Sequence, residues 1–365
     1  MKKIIPYGKQ WISEEDIKEV VKVLHTDWLT CGPEVKNFEQ KLASYCKAKY
    51  AVCVSSGTAA LHSAYYAIGL GKGDEVITTP LTFSATSMAL AYVGAKPVFC
   101  DVKKDTLNID PKEIEKSITK KTKAISIVDF AGQPCDLDEI KKIAKKHNLF
   151  VIEDASHAIG SDYKKRKVGG ISDLTIFSFH PVKTICTGEG GAILTNNKKF
   201  YERMKMFRHH GIIKKDNWKY SVVDIGYNYR ITDMQCALGI SQLKKIDFFK
   251  KRRREIVEMY RDLLKNEDII FIKEKENVKS CWHIYPIQLK NRKKVFEFLR
   301  KKGILVQVHY VPLHFQPFYQ KKFNYKVGDF PVVEEYYKKA LTLPLYPKMK
   351  NTDVETVVKT LKQIL

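Results

Sequence analysis

One lysine of this chain lies in a stretch where a surface charge would be out of place. The segment FSFHPVKTICTGEGG holds Lys183 as its one lysine and Glu189 as its one carboxylate, among apolar residues and glycines. Lysine is mostly a solvated charge, and a buried position in this stretch would make its amine a reactive nucleophile. We therefore predict that Lys183 is buried and reactive.

A second group of residues has the character of an anion site. Ser55, Ser56, Gly57 and Thr58 follow an apolar run and open a helical pattern, and Ser178 ends a later run. Backbone N–H groups at a helix N-terminus, in a turn that contains glycine, bind phosphate well. The alternative is a plain helix cap.

Asp154 ends the apolar run of VIEDASHAIGS. A helix N-cap is one interpretation of this aspartate. The other is a carboxylate that keeps a pyridine nitrogen protonated, so that the ring accepts electrons. A reactive lysine, a pyridinium partner and a phosphate cradle together predict a pyridoxal 5'-phosphate (PLP) site.

The elements that must position these residues alternate along the chain. We predict strands at 50–54, 75–78, 97–101, 124–128, 150–153 and 174–179, and helices at 13–24, 58–68, 110–118 and 136–147. Ser13 with Asp16 and Asp136 with Glu139 read as capping boxes. The pattern predicts an α/β fold with a mostly parallel mixed sheet, in which ligands collect at the carboxyl ends of strands.

The alternation ends at a long helix predicted around 241–264. Beyond it we expect a strand at 284–288, a helix at 292–302, an alternating strand at 304–310 and a final helix at 352–365. We predict a large PLP-binding domain over 1–245 and a small α+β domain over 246–365. The extreme N-terminus is expected to pack on the small domain.

The net charge of +23 raises a nucleic-acid interpretation. Lysines and arginines are spread along the chain, and the run Lys250–Arg254 reads as a solvated helix face. A basic regulatory protein would need a DNA-reading module, and none is seen. The charge instead favours anionic small molecules.

Other classes of protein lack support in the sequence. The eight cysteines show no C-x-x-C pair, and no histidine spacing indicates a metal site. No run approaches the ~20 apolar residues that cross a bilayer. We expect no metal, no membrane contact and a cytoplasmic location with reduced thiols.

Taken together, these motifs resemble the DegT/DnrJ/EryC1/StrS family of sugar aminotransferases over essentially the whole chain. The similar blocks are WLTCGPEVKNFEQKLASY, SSGTAAL, TTPLTFSAT, EDASHAIGS, FSFHPVKTICTGEGGAILTNN and GYNYRITDMQCALGISQL. The resemblance implies the PLP-dependent fold type I, like aspartate aminotransferase. Relatives that act as sugar dehydratases carry histidine at the lysine position, so Lys183 favours transamination.

The resemblance also assigns roles to single residues. Lys183 would bind PLP covalently, Asp154 would pair with the ring nitrogen, and His157 would face the ring hydroxyl. Phe83 would stack on the ring, with a plain core aromatic as the alternative. The phosphate would be held by Gly57, Thr58 and Ser178, and by Asn228 across the interface of a homodimer.

The substrate expectation is narrower. DFAGQPCDLDEI, RHHGIIKKDNW and KKGILVQVHYVP resemble a subgroup that aminates C4 of a UDP-linked 4-keto-6-deoxy N-acetyl sugar with L-glutamate, in pseudaminic acid biosynthesis and flagellin glycosylation. The alternative substrate is another nucleotide keto sugar, of bacillosamine or perosamine type. His309 and Tyr310 are candidate sugar contacts, and Arg230 a candidate partner for glutamate or the diphosphate. Core packing for Tyr310 and a surface ion pair for Arg230 are the other interpretations.

Overall fold

A computed structural model describes residues 4–214, 216 and 218–365. The α-helices are α1 (Glu14–Leu24), α2 (Pro33–Cys46), α3 (Gly57–Ala67), α4 (Ala85–Tyr92), α5 (Pro111–Lys116), α6 (Leu137–Lys146), α7 (Lys198–Arg208), α8 (Asp233–Lys244), α9 (Ile246–Leu264), α10 (Arg292–Lys301), α11 (Pro317–Phe323), α12 (Pro331–Lys339) and α13 (Asn351–Lys362). Short 3-10 turns lie at Phe130–Gly132 and Leu313–Phe315.

The strands follow the same chain order. They are β1 (Ile5–Pro6), β2 (Tyr50–Val54), β3 (Glu75–Thr78), β4 (Lys96–Phe99), β5 (Thr122–Val128), β6 (Phe150–Asp154), β7 (Asp162–Tyr163), β8 (Arg166–Lys167), β9 (Leu174–Ser178), β10 (Gly191–Thr195), β11 (Ile212–Lys214), β12 (Tyr220–Val222), β13 (Ile269–Phe271), β14 (Val278–Lys279), β15 (Tyr285–Leu289), β16 (Ile304–Leu305) and β17 (Ala340–Leu343).

The main sheet has seven strands in the order β2-β10-β9-β6-β5-β3-β4. Its pairs are parallel except where β10 lies antiparallel between β2 and β9. Apolar strands with both faces buried are typical of such sheets. The predicted α/β class with a mostly parallel mixed sheet is confirmed.

The N-terminal capping box is as predicted, and the second is wrong. Ser13 and Asp16 cap α1 reciprocally. The side chain of Asp136 does not cap α6; it pairs instead with Lys103 at 2.7 Å and with Lys275. Two cations satisfy that carboxylate better than one backbone N–H does, so a long-range ion pair replaces the local cap.

Two predicted elements in the second half of the chain are divided or shortened. The helix expected around 241–264 is α8 and α9, which meet at Lys245, where the backbone leaves the helical range with ψ 0°. The strand expected over 304–310 is regular only at Ile304–Leu305, which pairs with β1. Beyond it, Gln307 bridges to Thr342, and the chain then carries the next residues into a cavity described below.

The interpretation of Lys250–Arg254 as a solvated face is wrong. Arg253 is 1% exposed and donates from Nη1 to the carbonyls of Trp282, His283 and Leu345. Arg254 pairs with Glu274, and Lys250 pairs with Asp162. Other parts of the fold contact this helix on several sides, so the basic side chains donate hydrogen bonds to carbonyls and carboxylates instead of facing solvent.

The C-terminal part of the chain packs around its own sheet, β13-β15-β17. Its core is formed by α9, α10 and α13 against this sheet, and Ile5 from β1 belongs to the same cluster. The division at 245/246 into two domains stays a prediction.

Two general features bear on the classes considered above. Within the described ranges, no helix is long and apolar enough to span a bilayer. The eight cysteines are free thiols, of which all but Cys31 are buried.

Candidate active site

A cavity of about 490 Å³ opens where β5, β6 and β9 end. It is lined by Tyr7, Ser56, Gly57, Thr58, Leu61, Thr82, Phe83, Ala85, Thr86, Val128, Asp154, Ser156, His157, Ser178, His180, Val182, Lys183, Glu189, His283, His309 and Tyr310. Carboxyl ends of parallel strands meet at one edge, so residues distant in sequence converge there. The size is that of a small-molecule site.

Lys183 lies in the loop between β9 and β10. Its backbone N–H donates to the His180 carbonyl at 2.9 Å. The Thr187 N–H donates to the Phe179 carbonyl at 2.9 Å and so closes the loop. Burial lowers the pKa of the Lys183 amine to about 8, against the opposing charge of Asp154. The Lys183 side chain is half-buried at the cavity wall, and its role as a reactive amine stays a prediction.

Asp154 ends β6 and is 5% exposed. Its Oδ1 accepts from the hydroxyl of Ser156 at 2.6 Å and from the Ser156 N–H at 3.2 Å. Its Oδ2 accepts from the Thr86 hydroxyl at 2.7 Å. The aspartate is an oriented carboxylate at the cavity wall. The element that follows it is the strand β7 and not an α-helix, so Asp154 is no helix N-cap.

The N-terminus of α3 faces the cavity through Gly57 and Thr58. Ser56 caps the helix by accepting from the Ala59 N–H at 3.1 Å. A Cβ on residue 57 would lie 2.9 Å from the Cβ of Ser178, closer than side chains approach. Glycine at this position thus lets the helix end and Ser178 share one small volume, which suits a phosphate group.

Three of the four histidines that line this cavity, His157, His283 and His309, lie close to one another. Nε2 of His157 lies 3.0 Å from the Tyr310 hydroxyl, and Nδ1 of His309 lies 2.9 Å from Thr342 Oγ1. The ring of His283 is 4.5 Å from that of His157. Burial lowers the pKa of all three imidazoles, and the charge of Lys183 lowers it further. The histidines are therefore neutral donors and acceptors at neutral pH.

Phe83 is 62% exposed and stands at the cavity wall, with its ring centre 6.3 Å from that of Tyr310. A core aromatic would be buried, so this alternative is excluded. An aromatic face open to a cavity is available for stacking.

Two predicted residues lie outside this cavity. Asn228 is exposed and bridges to His209. Arg230 lies with its Nη1 3.1 Å from Nδ1 of His209, on the wall of a second cavity of about 910 Å³. Within one chain the structure does not bring either residue to Lys183.

Four residues that line this cavity were not predicted from the sequence: Tyr7, Thr82, Thr86 and His283. Thr82 and Thr86 fall within TTPLTFSAT, a block that was noted for its resemblance only. Tyr7 and His283 come from the two far ends of the chain and carry no local signal. Their place depends on long-range packing alone.

The residues present fit PLP. The helix end and Ser178 leave room for a phosphate, Asp154 offers a carboxylate, and Lys183 offers an amine with a lowered pKa. In the described part of the chain, Nδ1 of His157 and Nδ1 of His283 are buried without a hydrogen-bond partner. Such atoms await a partner from a bound group.

Fold and site together define the class of PLP-dependent fold type I enzymes. Comparison with known proteins narrows it: a model of the DegT/DnrJ/EryC1/StrS aminotransferase family matches residues 10–362. The chain belongs to this family. It is an aminotransferase, and its cofactor is PLP.

Three relatives illustrate the similarity. A Campylobacter jejuni protein named UDP-4-amino-4,6-dideoxy-N-acetyl-beta-L-altrosamine transaminase is 44% identical over 99% of this chain and 98% of its own length. Helicobacter pylori PseC, an aminotransferase of pseudoaminic acid biosynthesis, superposes with a TM-score of 0.95 at 37% identity, over 99% of both chains. A putative sugar aminotransferase from Streptococcus pneumoniae in its PLP form gives 0.94 at 32%, over 99% of this chain and 98% of the other.

Proposed function

We propose that this chain transfers the amino group of L-glutamate to C4 of UDP-2-acetamido-2,6-dideoxy-β-L-arabino-hex-4-ulose. The product would be UDP-4-amino-4,6-dideoxy-N-acetyl-β-L-altrosamine, an intermediate of pseudaminic acid biosynthesis, which places the chain upstream of flagellin glycosylation. The observation that carries the proposal is the meeting of Lys183, Asp154 and the α3 N-terminus in one cavity. The names of the Campylobacter and Helicobacter relatives support the sugar.

The residues that would hold the cofactor surround Lys183. Its ε-amine would bind PLP covalently. Asp154 would pair with the ring nitrogen, and His157 would face the ring hydroxyl. Phe83 would cover the ring face, and the phosphate would lie against Gly57, Thr58 and Ser178. When bound, PLP supplies an electrophilic carbon and a ring that accepts the electron pair of a substrate C–H bond.

Lys183 is the group that moves protons. Burial lowers the pKa of its amine to about 8, which brings the neutral form that a general base requires closer to neutral pH. It would move the proton from the α-carbon of glutamate to the cofactor. In the second half of the cycle it would move a proton from the cofactor to C4 of the sugar. Because burial lowers the pKa of His157, His283 and His309, these three imidazoles stay neutral near neutral pH and do not compete with Lys183 for this proton.

One phosphate contact, that of Asn228, would come from a second copy of the chain. Asn228 is exposed and outside its own cavity, and it lies beside a set of exposed apolar side chains, Trp218, Tyr220, Val222, Val223, Ile225 and Tyr227. An exposed apolar set of this size is typical of an interface. We propose a homodimer in which Asn228 of each chain reaches the partner's phosphate. Light scattering of the purified protein tests the assembly.

The location proposed is the cytoplasm. Eight free thiols, seven of them buried, are compatible with a reducing compartment. Fractionation of cells that express the tagged full chain tests it, since appearance in the membrane or extracellular fraction would contradict it.

The deciding experiment is a substrate panel. Holoenzyme is mixed with L-glutamate and UDP- or GDP-linked 4-keto sugars of the pseudaminic, bacillosamine and perosamine types, and products are read by NMR at C4 and C5. We expect turnover of the β-L-arabino ketone to the β-L-altro product, with a single configuration at C4. Preference for a bacillosamine- or perosamine-type ketone would overturn the proposed substrate. The proposed amino transfer to a keto sugar would still hold.

A further inference from the structure

Asp154 is held by two threonines that form a hydrogen-bonded chain toward it. Thr82 Oγ1 lies 2.8 Å from Thr86 Oγ1, and Thr86 Oγ1 lies 2.7 Å from Asp154 Oδ2. All three side chains are buried, with 3%, 1% and 5% exposure for Thr82, Thr86 and Asp154. A buried polar chain of this kind orients its members strongly.

The direction of each proton follows from the chemistry of the groups. An ionised carboxylate accepts only, so the Thr86 hydroxyl donates to Asp154. A hydroxyl has one proton, so Thr86 accepts from Thr82 in turn. The donors therefore run from Thr82 to Thr86 to Asp154 Oδ2.

Counting acceptor positions leaves one place on the carboxylate. A carboxylate offers about four acceptor positions. Two on Oδ1 are taken by the hydroxyl and the N–H of Ser156, at 2.6 Å and 3.2 Å. Thr86 takes one on Oδ2, which leaves one on Oδ2, and Asp154 lines the cavity. We infer that Thr86 is a positioning residue that aims Oδ2 of Asp154 at the pyridine nitrogen of the cofactor, with Thr82 fixing the direction of its proton.

The backbone around Thr86 is fixed from two sides. The Tyr65 hydroxyl donates to the Thr86 carbonyl at 2.9 Å and contacts Ser126 on β5 at 2.8 Å. Ser87, the next residue, contacts the Tyr319 hydroxyl of α11 at 2.6 Å. The hydroxyls of Tyr65 on α3 and Tyr319 on α11 anchor α4 from two sides, and we expect them to restrain the position of the Thr86 hydroxyl.

The inference rests on the proposed role of Asp154, and the variants separate the two. Thr86→Val removes the donor at nearly constant volume, and Thr86→Ser keeps it. Thr195→Val is the matched control: Thr195 is 1% exposed and donates to the Asp173 carbonyl at 2.7 Å, at the opposite end of the sheet. Asp154→Asn tests the underlying role.

The first measurement is the ¹⁵N NMR signal of ring-labelled PLP bound to each variant. In Thr86→Val, Oδ2 has one partner fewer, so the ring proton shifts toward the carboxylate and the signal moves toward that of neutral pyridine. Thr86→Ser and Thr195→Val are expected to match the parent. An unchanged signal in folded Thr86→Val overturns the inference, and so does a Thr86→Ser signal as displaced as that of valine.

The second measurement is the single-turnover half-reaction with L-glutamate. Losing a hydrogen bond to a charged group is expected to slow it about tenfold or more in Thr86→Val. With a 1-deaza analogue of PLP, which has carbon at the ring position, Thr86→Val and the parent should react equally. A valine effect that persists with the analogue overturns the inference. If Asp154→Asn reacts like the parent, the proposed role of Asp154 fails as well.

Discussion

The Tyr310 hydroxyl lies 3.0 Å from Nε2 of His157, inside the cavity that holds Lys183. Burial raises the pKa of Tyr310 and lowers that of His157, so both are neutral and share one hydrogen bond. The sequence suggested Tyr310 as a sugar contact or a core residue. The contact adds a third role, in which Tyr310 selects which nitrogen of His157 carries the proton.

Tyr310→Phe tests this role. Removal of one neutral hydrogen bond costs about 1 kcal/mol, or roughly fivefold in rate. We expect this loss in the half-reaction with glutamate as well as in that with the sugar, because His157 serves both. A defect confined to the sugar half-reaction would instead mark Tyr310 as a sugar contact. Single-turnover absorbance separates the halves.

Lys183→Ala is expected to abolish turnover while PLP still binds noncovalently. Borohydride reduction of the parent holoenzyme followed by peptide mapping should label Lys183. Added small amines should restore part of the activity of the variant by replacing the lost base. Labelling at another lysine would sink the proposed function, and Lys9, which is exposed, serves as the control substitution.

The stability of the cofactor-free protein should depend on pH through Lys183. Folding lowers its pKa from 10.5 to about 8, so between these values the unfolded chain binds the proton that the folded chain releases. Stability from this group therefore increases as pH rises from about 8 to 10.5 and is lost below that window. Urea unfolding of parent and Lys183→Met across this range measures it. The variant should lack the increment, and parallel curves would contradict the burial of a titrating amine.

Gly57→Ala tests the phosphate cradle. The new Cβ would lie 2.9 Å from the Cβ of Ser178, so one of the two groups must move. We expect PLP affinity to fall about tenfold or more, since a displaced cradle loses at least one charge-assisted hydrogen bond. Ser178→Ala, which keeps the Cβ, should show only the loss of the hydroxyl. Equilibrium dialysis of PLP gives both constants, and equal affinities for parent and Gly57→Ala would refute the cradle.

Arg253→Met should destabilise the fold well beyond a surface substitution. Three backbone carbonyls lose their buried donor, and each unsatisfied buried acceptor costs about 1–3 kcal/mol. Lys251→Met on the same helix is the control, because Lys251 is exposed and surface changes are usually within about 0.5 kcal/mol. Urea denaturation compares the two. A loss no larger than that of the control would show that the buried guanidinium contributes nothing.

Local sequence determined the elements around the site to a large extent. The strands at 50–54 and 75–78 have the predicted bounds, α3 begins and ends one residue earlier than predicted, and β6 ends one residue later. Alternating apolar patterns report directly which faces are buried, and turn residues mark where strands end. Lys183, Asp154, Ser178 and Gly57 were therefore predicted to stand at one edge of a sheet before any tertiary contact was known.

Other elements gave weaker local signals. The helices α2, α4 and α7 and the strand β10 are not among the predicted elements, although α2 and β10 lie almost entirely in blocks that resemble the family. The α4 helix has eight residues and none of them is charged, so its helical period is hard to recognise in the sequence. The antiparallel direction of β10 is set by strand pairing, which no local pattern encodes.

The sequence alone determined the chemistry at the ends of consecutive strands, because those residues are brought together by a regular sheet. Only the tertiary structure decided what surrounds them. Tyr7 reaches the cavity from near the N-terminus, and His283 and His309 reach it from the C-terminal third of the chain. Arg253 contacts the carbonyls of two separate segments, at Trp282–His283 and at Leu345. Burial and electrostatic shifts depend on everything packed within a few ångströms, and that neighbourhood is written in no single stretch of residues.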